Sequence, residues 1–300
     1  MYHSYWRNLI LIVFPMAMVV ACSSGEQDQT ADLSTGTNSL EGSWELSKYI
    51  NHPEGGVEWE SYGPEIMYQK HITPTHFTWF KYNKETDILE GAGGGTYKFN
   101  GLVYTENIHF YHPAGTSLLG QAIPFDANFE NGLWFHTGYS KELEFDPEVG
   151  ELIIVDTTKI EEQWLKMGGV SNTEEMVKTW NLVGHKFSPS DSTYAEYPDF
   201  VKYIKLLTPT HFTWIKYNNE EEGGEVLGLG SGRYESADSY YKEFIDVIHP
   251  SGSNMINTKI TFEKALSDNQ WLHLGYILRV KSTRGEIQVL DSALIDEIWQ

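Results

Sequence analysis

The chain has 300 residues, a formal charge of −21, 14% aromatic residues and a single cysteine. So acidic a balance argues against nucleic acid as a partner, because phosphate backbones are met by basic faces. It also argues against purely electrostatic docking on anionic lipid. One cysteine rules out an internal disulfide framework.

The first element is N-terminal. Arg7 supplies a short positive region, and an apolar run of about a dozen residues extends from Leu9 to Val20. That run is too short for a spanning helix, which needs about 20 residues, and nothing after Val20 reads as a transmembrane span. It closes on Val19-Val20-Ala21-Cys22, followed by the polar Ser23-Ser24-Gly25-Glu26. This junction resembles the lipobox of bacterial lipoproteins, in which the cysteine becomes the lipid-modified first residue after signal cleavage. The resemblance implies a signal peptide over 1–21, an acyl group on Cys22 and a flexible tether over 22–39. It places the chain in the bacterial cell envelope, anchored in the outer membrane by its acyl chain and facing the periplasm or the exterior. An acylated Cys22 would leave no free thiol, which removes cysteine nucleophiles and thiolate metal sites together.

Two copies of one unit follow. Thr73 to Asn83 reads TPTHFTWFKYN and Thr208 to Asn218 reads TPTHFTWIKYN. The register extends outward from this core. Trp44 matches Trp180, Lys70 matches Lys205, Glu106 matches Glu243, His136 matches His273, and Glu162 with Trp164 matches Glu297 with Trp299. Each copy is about 125 residues, a size that buries its own core. The spacing predicts domains over 40–167 and 175–300, joined by a linker over 168–174.

Within the first copy the predicted elements are strands, since β-branched and aromatic residues alternate with polar ones. They run over His76 to Tyr82, Thr96 to Phe99, Val103 to Tyr111, Ala122 to Phe129 and Leu133 to Tyr139, then Glu142 to Phe145, Leu152 to Thr157 and Lys159 to Leu165. Asn131-Gly132 is a hairpin turn; Asp268-Asn269 is the equivalent turn in the second copy, and Arg284-Gly285 marks another hairpin. Gly93-Gly94-Gly95 reads as a bend or bulge, and Glu174 to Trp180 is open between a helical turn and a strand. Strands joined by short turns imply an all-β fold of antiparallel barrels or sandwiches.

Each copy opens on a tryptophan in a short strand, Gly42-Ser43-Trp44 in the first and Lys178-Thr179-Trp180 in the second, where the glycine is lost. With the HFTW strand and the closing Glu-x-Trp, this resembles lipocalin-like domains of bacterial secreted proteins. The resemblance spans nearly all of 40–300, twice. It implies two tandem antiparallel lipocalin-like β-barrels of about eight to ten strands, each with its opening Trp plugging one end and with an internal cavity.

Alternation along a strand sorts residues by face. His76, Thr78 and Tyr82 share one face, and Phe77, Trp79 and Lys81 share the other; Tyr104 falls with Glu106, and Trp134 with His136. If His76, Tyr104, Glu106, Trp134 and His136 point inward, the barrel encloses a mixed polar and aromatic lining suited to a small ligand. The second copy offers His211, Tyr241, Glu243, Trp271 and His273. Trp79 and Trp164 read as packing. His76, Glu106 and His136 have the chemistry of a metal site, but no local His pair supports one, so no metal or other cofactor is expected. A Glu106/His136 pair, repeated as Glu243/His273, has acid–base potential for a hydrolase or isomerase. Trp59, Tyr62, Tyr111, Tyr194 and Tyr197 are candidates for carbohydrate stacking. The leading expectation is a non-enzymatic module that binds a small aromatic or partly apolar molecule. A structural or partner-binding surface protein is the third possibility.

Overall fold

A computed structural model describes residues 39–172, 174–252, 255–267, 269–283 and 286–300, and along 278–291 the backbone course alone. The expected signal segment over 1–21, Cys22, all but the last residue of the expected tether, Asp268 and Arg284-Gly285 lie outside the described residues.

The first eight strands are β1 (Gly42–Tyr49), β2 (Ile66–Ile72), β3 (His76–Asn83), β4 (Ile88–Phe99), β5 (Val103–His112), β6 (Ala122–Glu130), β7 (Leu133–Asp146) and β8 (Glu151–Lys166). Each pairs antiparallel with the next, and β8 returns to β1, so the sheet closes. The second set repeats this with β9 (Thr179–His185), β10 (Val201–Leu207), β11 (His211–Asn218), β12 (Val226–Ser236), β13 (Tyr240–His249), β14 (Lys259–Ser267), β15 (Gln270–Thr283) and β16 (Glu286–Trp299), where β16 closes on β9. The protein is therefore all-β, two tandem eight-stranded antiparallel barrels. Closure leaves neither barrel an open sheet edge along its paired length.

Local chemistry sets the corners. Asn131 and Gly132 both take positive φ, 52° and 79°, as the tight hairpin between β6 and β7 requires. The expected strands Glu142–Phe145 and Leu152–Thr157 are not separate elements. Each continues β7 or β8 through a register shift between Glu142 and Leu143, so one long ribbon extends past the barrel wall. Glu174–Met176 forms a short 3-10 turn ahead of β9. The glycine run lies within β4: a Cβ on Gly95, whose φ is +158°, would fall 2.0 Å from the Asn107 carbonyl oxygen.

A bulge in β5 decides which residues face inward. Ile108 pairs with Gly95 but Phe110 pairs with Gly94, so His109 is the extra residue. One extra residue inverts the alternation. Tyr104, Glu106 and Ile108 point into the barrel before it; after it Tyr111 points in and Phe110 points out.

The outward faces of β2 to β5 are covered by the second barrel. Phe80, Tyr82, Leu89, Ala92 and Phe110 form one buried cluster with Ile204, Ile215, Tyr217, Leu229 and Val247. The seam is nearly two-fold. Ser43 Oγ meets Thr208 Oγ1 at 2.8 Å, and the matching pair, Thr73 Oγ1 and Thr179 Oγ1, meets at 2.6 Å. Such reciprocity characterises an isologous interface, here between two halves of one chain. At its centre His71 is fully buried, its Nδ1 2.6 Å from Thr213 Oγ1.

Candidate functional site

The interior of the first barrel is built by inward positions on β2, β3, β5, β7 and β8. Trp44 seats one end: its indole N–H donates to the Leu40 carbonyl at 2.7 Å, and its ring lies edge-on to Trp134 at 5.3 Å. Trp180 repeats the arrangement on Met176 and Trp271.

Above this aromatic floor sit two buried polar pairs. The Lys70 ammonium donates to Glu106 Oε1 at 2.8 Å, with side chains only 3% and 5% exposed. The same ammonium lies 5.6, 5.3 and 5.0 Å from the ring centres of Tyr104, Trp134 and Trp164, within cation–π range of all three. His136 Nδ1 pairs with Glu162 Oε2 at 2.9 Å, and the Trp164 indole N–H donates to the same oxygen at 3.0 Å. The second barrel repeats every contact: Lys205 to Glu243 at 3.0 Å, His273 to Glu297 at 3.1 Å and Trp299 to Glu297 at 3.0 Å.

The electrostatics follow from this packing. Burial, reinforced by the charge of Lys70, lowers the His136 imidazole below its usual value despite the opposing pull of Glu162. His136 is thus neutral at pH 7, with its Nδ1 proton directed at Glu162. Burial works to raise the Glu162 carboxyl, but the hydrogen bond to His136, with the charge of Lys70 and the Trp164 indole, outweighs it. The net effect is a carboxylate held below its ordinary pKa. His136 Nε2 is left as a bare acceptor, buried and without a hydrogen-bond partner; His273 Nε2 repeats this.

These groups border a cavity of about 150 Å³, walled by Trp79, Tyr111 and Phe125 and reached by Lys70, Glu106, His136 and Glu162. Drug-sized sites run to about 300–1,000 Å³, whereas a cavity of about 150 Å³ accommodates a single benzene ring. Tyr68, Ile160 and Glu162 are shared with an outer vestibule of about 560 Å³. A run of rings leads between the two: Tyr49 stacks on Tyr62 at 4.4 Å, Tyr62 lies 6.2 Å from Tyr68, and Tyr68 lies 5.8 Å from Trp79.

The sequence-derived candidates divide cleanly. Tyr104, Glu106, Trp134 and His136 share one interior, as do Tyr241, Glu243, Trp271 and His273. His76 and His211 do not join them: they share the outward face of β3 and β11 with the seam residues Phe80 and Ile215. The triad His76, Glu106 and His136 is therefore split by the barrel wall, and among the described residues no group of three His, Cys, Asp or Glu is placed to hold a metal ion. The Glu106/His136 acid–base pair is not formed either, because Lys70 engages Glu106 while Glu162 engages His136. Of the stacking candidates, Tyr62 and Tyr197 are stacked on Tyr49 and His185, and the Tyr194 hydroxyl donates to Asp296 at 2.7 Å.

Sequence reasoning missed Lys70, Trp79, Tyr111 and Glu162 as cavity residues. Trp79 shares the inward face with Phe77, and Glu162 recurs as Glu297 two residues before a Trp, so both had a signal. Tyr111 had none, since only the β5 bulge turns it inward.

Compared with known proteins, the chain matches no family model, no curated protein and no solved structure. No helix among the described residues is long and apolar enough to cross a membrane.

Proposed function

We propose that the chain is a non-enzymatic, lipocalin-like binding protein of the bacterial envelope, tethered by an acyl group on Cys22, that holds a ring-sized, partly apolar molecule in its barrel. The observation that carries this reading is the cavity of about 150 Å³, where aromatic walls converge with the buried polar residues Lys70, Glu106, His136 and Glu162. Apolar walls supply area, and a few convergent polar groups supply orientation. A barrel serving only as a spacer has no use for two buried ion-paired carboxylates, since apolar packing of the same volume is as stable or more so.

A second reading draws on one contact. An imidazole oriented by a carboxylate at Nδ1 is also the arrangement of a general base, so a hydrolase or isomerase would act through His136 and Glu162. That enzyme would lose turnover but keep ligand affinity on His136→Gln.

The primary test is a screen of ring-sized compounds against the purified chain by native mass spectrometry and thermal shift, alongside palmitate labelling of the wild type and Cys22→Ala. Binding with one-to-one or two-to-one stoichiometry, and label lost in Cys22→Ala, are expected. Absence of any binder removes the ligand reading; label retained in Cys22→Ala removes the anchor.

A further inference from the structure

The charged or ionisable groups that reach the first cavity are Lys70, Glu106, His136 and Glu162, set among the rings of Tyr68, Trp79 and Tyr111. Glu106 and Glu162 bring two negative charges, Lys70 brings one positive charge, and His136 commits its Nδ1 to Glu162. The cavity therefore carries one uncompensated negative charge behind a wall of rings. Lys70 does not cancel it, because its ammonium is bound to Glu106 and enclosed by Tyr104, Trp134 and Trp164. Glu162 receives only neutral donors, from His136 and Trp164 on a single oxygen. The net negative charge of the group favours a cationic guest over a neutral or anionic one. The surrounding rings act in the same direction, since aromatic faces attract cations.

We propose, building on the ligand-binding reading above, that the cavity selects small organic monocations: a protonated amine carried on or beside one flat ring. The ammonium N–H groups donate to Glu162, while the ring lies against Trp79 and Tyr111. The volume limits the guest to about one ring, and the shared Glu162 places its charged end where the cavity meets the vestibule.

The test is a titration of the full chain with three near-isosteric probes: benzylamine, benzyl alcohol and benzoate. Benzylamine is expected to bind about tenfold or more tightly than either of the others. Glu162→Gln, which keeps an acceptor for His136 and Trp164 but removes the charge, is expected to bring benzylamine and benzyl alcohol to within about twofold of each other. Glu297→Gln in the second barrel is the matched control for the position of the effect. Benzyl alcohol or benzoate binding as well as benzylamine overturns the cation class and leaves the ligand site standing. If none of the three binds, the ligand site itself fails. The wild-type ranking needs no variant, so a poorly folding Glu162→Gln does not blunt the test.

Discussion

Replacing Lys70 by methionine isolates the energetics of the barrel interior. The pair it breaks is 2.8 Å long with side chains 3% and 5% exposed, so water cannot replace the lost partner of Glu106. Leaving one buried charge alone costs about 3–5 kcal/mol, and methionine retains the apolar volume and part of the ring contact. Lys70→Met should thus lose about 3–5 kcal/mol in urea unfolding followed by tryptophan fluorescence. The double variant Lys70→Met/Glu106→Leu removes the orphaned charge and should recover to within about 1 kcal/mol of wild type. Lys205→Met provides an internal replicate, because its pair with Glu243 is 3.0 Å long and equally buried. A single variant losing less than about 1 kcal/mol, or a double variant as unstable as the single, would refute the account of a dry, mutually dependent ion pair.

The seam between the barrels predicts acid sensitivity. Burial, then the neighbouring His211, holds His71 well below 6.5; burial, then Arg233, takes His211 to about 4; and burial, then His109, takes His76 to about 4. Between pH 6.5 and 4 the unfolded chain therefore binds protons that the native seam refuses, so stability falls as pH falls through that window. His71→Leu, which installs the residue the second copy carries as Leu206, should make this slope shallower by up to about 1.4 kcal/mol per pH unit; an unchanged slope in urea titrations at pH 6.5, 5.5 and 4.5 would count against it. Gly93→Ala puts a Cβ 2.9 Å from the Trp79 ring, which should cost about 1–3 kcal/mol and weaken any cavity ligand. Gly168→Ala, with nothing within 4 Å, should stay within about 0.5 kcal/mol of wild type. Equal effects at the two glycines would show that Trp79 is not confined by β4.

Much of the architecture was legible because the repeat and the alternation are local signals. TPTHFTW marked two copies, and Asn131-Gly132 marked a hairpin that the backbone realises with two positive φ angles. The facing of His76 misled because alternation sorts residues into two faces without saying which is inner. In an isolated barrel the outer face meets water and the polar side would identify itself. Here the outer face of β3 carries Phe80 and Tyr82 against the other barrel, so both faces are dry. Lys70 was obscured for the complementary reason, since a lysine in a strand ordinarily marks the solvent side. The true partner of His136 depends on the pairing of β7 with β8, where His136 lies opposite Glu162, and short-range patterns do not reveal that register.

Divergence between the copies separates packing from chemistry. At the seam some equivalent positions differ: Leu206 stands where the first copy has His71 and Ile215 where it has Phe80, while Tyr82 recurs as Tyr217. Inside the barrels, Tyr68, Lys70, Trp79, Glu106, His136 and Glu162 recur unchanged as Tyr203, Lys205, Trp214, Glu243, His273 and Glu297. Stability alone does not require this, since a buried ion pair exchanges for apolar packing at little or no loss, whereas the seam, under a real packing constraint, has drifted. A charge requirement in the interior accounts for the contrast. The walls are not identical, however: Tyr111 and Ser140 answer to Ile248 and Ile277. The charged arrangement is thus common to both barrels, while the cavity walled by Tyr111 and bordered by Ser140 belongs to the first.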